Sequence, residues 1–452
     1  MHRNGYKMSQ LCSTKCSHLY NRQDLLASAM AINKLANFRT LEPILTFLGL
    51  WQGGDSSWFK RHYRYYQLFM HTTITFTFAS LMILEFIYSE SLDYAIDVLK
   101  YMLVEMAIIS KVLNAWYYEQ QTAELVNELA NSATFELRTS AEEQMWQKSQ
   151  KNFRKLTMIY MGTGLNSAFC ALLAAALMGA KELPYALWLP YDWCDTYFWG
   201  IYCYECIAMP FTCLCNITID LFQAYLLLHL TLCFRVISMR LERLGDAGKE
   251  DAITTELLNN IKMHQRVKEL ALKCEQVISI ALLSQIMLTF LILCFIIYNM
   301  QNAQFSENPA HFLAMLQYAL IISMEMFLPC YYGNELTVES EKLGFHLYSC
   351  DWTGFLVDFS PAASIRSTTP SQRRSAVEVR HAVGQIVRTH NHMNFGMQFA
   401  FSPYNIDMMT LAYTHTPRPT VACMCICGKT ELAKHCYWNF LGARSAVGPL
   451  LM

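Results

Sequence analysis

Six charged residues lie well inside long apolar runs of this 452-residue chain, away from the ends of those runs: Lys100, Glu105, Lys111, Glu205, Asp220 and Glu325. In hydrocarbon each costs about 2.5–3.5 kcal/mol on insertion scales, so it is expected to pair, to face water or to meet a ligand. One reading pairs Lys100 with Glu205 across two helices, which removes the penalty and fixes a packing register. The other sets Glu105 or Glu205 against a wet cavity, where a carboxylate favours hydrogen-bonding or amine-bearing small molecules. Other reactive constellations are weaker. Cys203 and Cys206 form a C-x-x-C on an apolar helix with no second pair and no His partner, a poor zinc or redox site. Cys423, Cys425, Cys427, His435 and Cys436 come closer to a thiolate cluster, but their C-x-C-x-C spacing alternates. His390 and His392 are one residue apart rather than at the i, i+4 spacing of a helical metalloenzyme motif. With no Gly-rich phosphate loop either, no enzyme activity, metal or cofactor is expected.

Membrane helices are the elements that would have to hold those charges. The chain is 54% hydrophobic and 16% charged, against about 25% charged in soluble domains. Thirty-five basic and 36 acidic residues give no electrostatic footprint for nucleic acid. A bilayer core about 30 Å thick needs about 20 apolar residues as helix, because lipid leaves no partner for an open backbone. Six stretches meet that length: 65–88, 96–118, 158–178, 197–230, 277–298 and 312–332. The fourth exceeds a bilayer's thickness and runs into a basic segment at 235–243, so it reads as one helix leaving the membrane as a cytosolic extension over 233–276. The first 23 residues have no apolar core of signal-peptide length, so insertion is expected from internal segments.

Basic residues in the connections set the orientation. Nine Lys and Arg precede the first span, five lie between the second and third, and eight between the fourth and fifth; the other side holds Lys181 alone. The N-terminus is therefore expected in the cytoplasm. That inverts the topology of G-protein-coupled receptors, whose Asp-Arg-Tyr and Asn-Pro-x-x-Tyr motifs are missing as well. Trp188, Tyr191, Trp193, Tyr197 and Trp199 crowd the second outer loop; they either anchor it at the lipid boundary or roof a ligand cavity. Asn216-Ile-Thr218 matches a glycosylation sequon inside a span, beyond a transferase's reach.

Two stripes with a 4, 3 step follow. Met263, Val267, Leu270, Cys274 and Val277 share one helical face, and so do Leu336, Ser340, Leu343, Leu347 and Cys350, with Glu335, Glu339 and Glu341 elsewhere on the turn. Period 3.5 is the spacing of packed helix pairs, either within one chain or between subunits.

The run from Pro329 through Cys-Tyr-Tyr-Gly-Asn-Glu-Leu-Thr-Val-Glu-Ser-Glu-Lys to Leu343, followed by Tyr348-Ser-Cys-Asp-Trp352, resembles the C-terminal signature of insect odorant receptors. Leu189-Pro-Tyr-Asp-Trp193 is similar to that family's outer loop, and the resemblance spans about residues 41–352. It implies an all-α polytopic membrane bundle of seven helices. It also implies a subunit that joins a common co-receptor in a hetero-tetrameric, odorant-gated cation channel at the plasma membrane of an olfactory sensory neuron. In that picture a cytosolic helix at 333–354 anchors the subunits through Leu336, Leu343, Leu347, Tyr348, Cys350 and Trp352. A small apolar pocket in the outer half of the 65–332 bundle takes the volatile. Depth under the inferred topology selects Met102, Glu105, Met106, Ser167, Cys170, Tyr202, Met209 and Tyr318 as pocket candidates, Met for adaptability and hydroxyls for orientation. Residues 1–64 are the cytoplasmic lead-in.

One departure stands out. Family members continue into a seventh membrane helix, whereas residues 355–452 hold six of the chain's twelve prolines and no intact apolar run of span length. The longest candidate, 393–413, is broken by Pro403 and carries Asp407. This tail reads as a non-homologous C-terminus, disordered or spliced in, and a chain lacking the pore helix is expected not to conduct alone. A gustatory-type receptor and a small-solute transporter are the alternatives; the transporter lacks the paired broken helices it needs.

Overall fold

A computed structural model describes residues 34–52, 57–89, 91–177, 183–189, 193–244, 250–302 and 309–349. Among them the architecture is entirely helical: α1 (Ala36–Phe47), α2 (Ser57–Met70), α3 (Thr77–Ile87), α4 (Leu92–Tyr117), α5 (Glu119–Asn131), α6 (Ser140–Leu177), α7 (Trp193–Glu242), α8 (Glu250–Asn302) and α9 (Pro309–Ser349). The expected tail and the anchor positions Cys350 and Trp352 lie outside the described residues, as do the side chains of Leu347 and Tyr348.

Local chemistry sets the helix ends. α1 stops in a Schellman motif: Leu50 N–H donates to Leu45 O at 2.9 Å and Gly49 N–H to Thr46 O at 3.2 Å, with Gly49 at φ +73°. A Cβ on Gly49 would also press on His71 Nε2 at 3.3 Å. Gly49→Ala is therefore expected to cost about 1–2 kcal/mol, the left-handed penalty of an L residue, read as a lower unfolding temperature of the purified chain. α6 opens on a side-chain cap, Glu142 N–H donating to Thr139 Oγ1 at 3.3 Å while Glu142 Oε2 reaches back to accept from Arg138 N–H at 2.8 Å. Between α2 and α3 the chain does not break but widens into a π-helical turn, His71–Phe76. The turn buries His71, whose Nε2 must carry the proton because its partner at 2.9 Å is the carbonyl of Leu48; Nδ1 then accepts from Thr75 Oγ1 at 3.1 Å.

Five helical stretches among the described residues are long and apolar enough to cross a membrane: His62–Ile87, Ser140–Leu177, Tyr197–Glu242, Thr255–Gln301 and Phe312–His346. The expected span at 96–118 also folds as a helix, α4, about 39 Å long at 1.5 Å per residue. Lys100, Glu105 and Lys111 lower its apolarity below the others. α7 is kinked at Tyr197 (φ −120°, ψ 18°) and from there runs on to Glu242, about 69 Å over 46 residues.

The helices form two units. The first comprises the chain up to Val236 with Glu269–Leu328, the second Ile237–Lys268 with the chain from Pro329. Within the first, α7 is the axis. Its most apolar stretch is 94% buried, against 22–33% for the other four. A helix apolar on every side is stable only when walled by others. The flanking helices keep apolar side chains outward, among them Met158, Leu173, Ile280, Leu291, Leu320 and Phe327, as surfaces facing lipid do. In the second unit the expected stripes are buried at Met263, Val267, Leu336, Ser340 and Leu343 within the isolated chain. Glu339, expected off that face, is buried too and pairs with Lys342 at 3.0 Å. His346 Nδ1 lies 3.0 Å from Glu242, and Arg240 Nη1 reaches Met263 Sδ at 3.6 Å.

Candidate functional site

The intramembrane charges sort into two groups, and not as the sequence predicts. Lys100 does not pair with Glu205. Its Nζ donates to Asp97 Oδ1 at 2.7 Å, one turn back on α4, and touches Met315 Sδ at 3.7 Å. A partner three residues away on the same helix needs no interhelical alignment, and Asp97, half exposed, stays hydrated.

Lys111 is instead the centre of a buried knot. Its three N–H donors meet Asn216 Oδ1 at 2.6 Å, Asp220 Oδ1 at 2.7 Å and Glu325 Oε1 at 2.7 Å. Tyr160 O–H donates to Asp220 Oδ2 at 3.4 Å, and Gln285 Nε2 to Glu325 Oε1 at 3.2 Å. One residue or more from each of α4, α6, α7, α8 and α9 takes part. Asn216, set aside as an unreachable sequon, is one of its acceptors. The clue in the sequence was depth: Lys111, Asp220 and Glu325 each fall well inside spans that enter from the same side, with opposite signs that could meet.

The second group lies nearer the expected outer end. Glu105 and Glu205 are 2% and 0% exposed. Glu105 Oε2, both carboxylate oxygens of Glu205 and the hydroxyl of Tyr318 have no hydrogen-bond partner among the described residues. Tyr185 lies within electrostatic range of both carboxylates, and Tyr318 within range of Glu105. The rings of Tyr101 and Tyr185 meet edge to face at 5.3 Å, and those of Tyr101 and Tyr318 at 5.3 Å. Tyr318 also packs on the apolar cluster of Ile292, Ile296 and Ile322, with Leu103 and Val104 of α4 beside it.

Of the eight expected pocket residues, the structure brings Glu105 and Tyr318 together. Met102, Ser167 and Met209 are half-buried. Tyr202 is half-buried and commits its hydroxyl to Leu172 O at 2.8 Å. Met106 and Cys170 lie on exposed faces. Tyr101 and Tyr185 were missed, Tyr185 because it sits in the outer loop rather than on a span. That loop contributes Trp188, stacked on Tyr88 at 5.6 Å, while Tyr197 and Trp199 are exposed. Tyr191 lies outside the described residues, as does the side chain of Trp193.

A separate cavity of about 40 Å³ lies at the other end of α4, lined by Trp51, Lys111, Asn114, Glu119, Gln223 and Val277 among others. It has room for a few water molecules, not for a volatile, and none of the eight expected residues lines it. Glu119 is held there by Gln52 N–H at 3.1 Å, and burial lifts its carboxyl above the ordinary carboxylate range.

Comparison with known proteins agrees with this architecture. The family model described as 7tm Odorant receptor matches residues 91–366. Odorant receptor 94a of Drosophila melanogaster is 32% identical over 329 residues, covering 71% of this chain and 84% of that protein. Odorant receptor 46a, isoform B, of the same fly is 26% identical over 324 residues, covering 68% and 82%. Among solved structures, the insect olfactory receptor OR5 from Machilis hrabei in complex with eugenol is similar at TM-score 0.64 and 16% identity, over 85% of this chain and 97% of that one. At that identity the likeness establishes the fold. The family consists of receptors, not enzymes, and the sequence and structural matches together show that this multi-pass membrane chain belongs to the insect odorant receptor family.

Proposed function

We propose that this chain is the odorant-tuning subunit of a heteromeric ligand-gated cation channel, that it works with a common co-receptor subunit at the plasma membrane of olfactory neurons, and that it takes its volatile among Glu105, Tyr101, Tyr185, Glu205 and Tyr318. The observation supporting the site is the set of buried oxygens there without protein partners, since buried polar groups are otherwise satisfied. A volatile of about ten heavy atoms yields a few tenths of a kcal/mol to about 1 kcal/mol per atom, so gating must work on a small bias. A preference of about 2.7 kcal/mol for the open arrangement moves the open-to-closed ratio about 100-fold.

The test is a current recorded from cells co-expressing the full chain and the co-receptor under a panel of volatiles. Odorant-evoked cation current is expected, and silence across the panel would refute the reading. The same picture assigns the segment 335–352 to subunit anchoring. Deleting it is expected to abolish co-purification with the co-receptor, and a deleted chain that still co-purifies would exclude that role. Leu336 and Leu343 are already covered by their own chain, so an anchor here would work through the outer face of α9, where Phe345 is 69% exposed.

A further inference from the structure

We infer that the outer site is built for an ammonium group: its ligand is a small volatile amine, bound protonated against Glu105 and Glu205 and faced by the rings of Tyr101, Tyr185 and Tyr318. This rests on the reading that a volatile binds in the outer half of the bundle, and it names the chemical class.

Three independent features of the site converge on that class. The first is unmet acceptor capacity. Among the described residues, one carboxylate oxygen of Glu105 and both of Glu205 are buried with no donor in good hydrogen-bonding geometry, the Tyr185 backbone being the group that approaches Glu205. An isolated carboxylate in an apolar interior is among the most costly arrangements a protein can hold, and a cation with several N–H donors relieves it. The second is that the protein's nearby cation is already engaged, Lys100 being bound to Asp97 at 2.7 Å. The contrast with Lys111, whose ammonium satisfies two carboxylates and an amide on the same helices, is direct: those carboxylates are supplied with a cation by the chain, whereas no cation among the described residues bonds the orphaned oxygens of Glu105 and Glu205.

The third is aromatic. The ring of Tyr101 meets those of Tyr185 and Tyr318, each with centroids 5.3 Å apart, and Lys100 Nζ already lies 5.1 Å from the Tyr101 centroid. Tyrosine faces attract ammonium groups within about 6 Å. The unpartnered Tyr318 hydroxyl adds an acceptor for one further N–H. A hydrocarbon meets none of these demands. A ketone or ester brings only an acceptor, which cannot neutralise a carboxylate, and an alcohol brings a single donor.

The experiment measures binding directly. The purified full-length chain in detergent is melted at neutral pH with hexylamine, 1-hexanol or 2-hexanone; an alkylamine is protonated there, as lysine is. Hexylamine is expected to raise the unfolding temperature at concentrations about tenfold or more below those needed by the neutral analogues. Glu105→Gln and Glu205→Gln should each weaken the amine effect about tenfold, and Tyr318→Phe by a smaller factor, without changing the response to hexanol. Protection by 2-hexanone equal to that by hexylamine would overturn the inference, as would wild-type amine binding in both Gln variants. If the Gln variants do not fold, Tyr101→Leu and Tyr318→Phe decide, because unchanged amine affinity in both contradicts the site. Currents from co-expressing cells separate the two levels. Responses to neutral volatiles without responses to amines overturn the ammonium site and leave the receptor reading standing. Silence to every volatile, with no ligand raising the unfolding temperature, overturns both.

Discussion

Lys111→Met is expected to lower the stability of the purified chain by about 3–5 kcal/mol, the cost of stripping a buried ion pair of one partner. The geometry explains the size. All three donors of the Lys111 ammonium are used, and its removal leaves Asp220 and Glu325 as neighbouring buried anions with only Tyr160 and Gln285 to compensate. Lys111→Arg keeps the charge but replaces a compact three-way donor with a planar fork, so it should retain part of the stability. The sharper check is the triple variant Lys111→Met, Asp220→Asn, Glu325→Gln. With no charge left to strand, most of the loss should be recovered, because well-packed neutral replacements of buried ion pairs are often no less stable than the originals. Thermal unfolding in detergent and the monodisperse fraction on size exclusion report both effects. A single variant as stable as wild type would mean the knot contributes nothing, and a triple variant as damaged as the single would mean that packing rather than charge is at stake.

The second expected loss is steric. A Cβ at Gly164 on α6 would fall on Ile217 Cδ1 of α7, so the two helices approach closely because this residue has no side chain. Gly164→Ala should cost about 1–3 kcal/mol, the usual penalty of overpacking. The obstructing atom is the end of a movable side chain, not backbone, so Ile217→Val should restore much of it. Unfolding of the two single variants and the double variant forms a cycle with an expected favourable coupling. Additive losses would show that Gly164 matters for another reason.

Much of the bundle was legible because hydrocarbon leaves a sequence few options. The apolar runs became helices, and the long run beginning at Tyr197 became one continuous rod, since nothing between it and Glu242 ends a helix and a single internal proline, Pro210, is tolerated. The stripe from Met263 to Val277 is buried throughout, as a 3.5-residue period requires. Charge partners were harder to read. Periodicity says which face a residue occupies on its own helix but not the rotation of that helix against the next, so pairing Lys100 with Glu205 is one option the sequence leaves open, although its partner, Asp97, is one turn away. The π-helical turn at His71–Phe76 was invisible for a related reason: it follows from packing of His71 against Leu48, and no residue type marks it. Of the proposed ligand site, Glu105 and Tyr318 are among the positions that depth and intramembrane charge single out, whereas Tyr185 comes from an irregular segment whose path no helical pattern describes.

The enclosure of α7 carries a mechanical corollary. From Phe211 to Phe234 that rod lies in a tight sleeve and cannot readily yield sideways, whereas around Glu205 it still shows open faces at Cys203 and Ile207. The next ionic group along that rod is Asp220, 15 positions or about 22 Å further on. In the proposed reading, a shift at Glu205 would have to pass Pro210 before the enclosed stretch carries it, lengthwise or in rotation, to the clasp around Lys111.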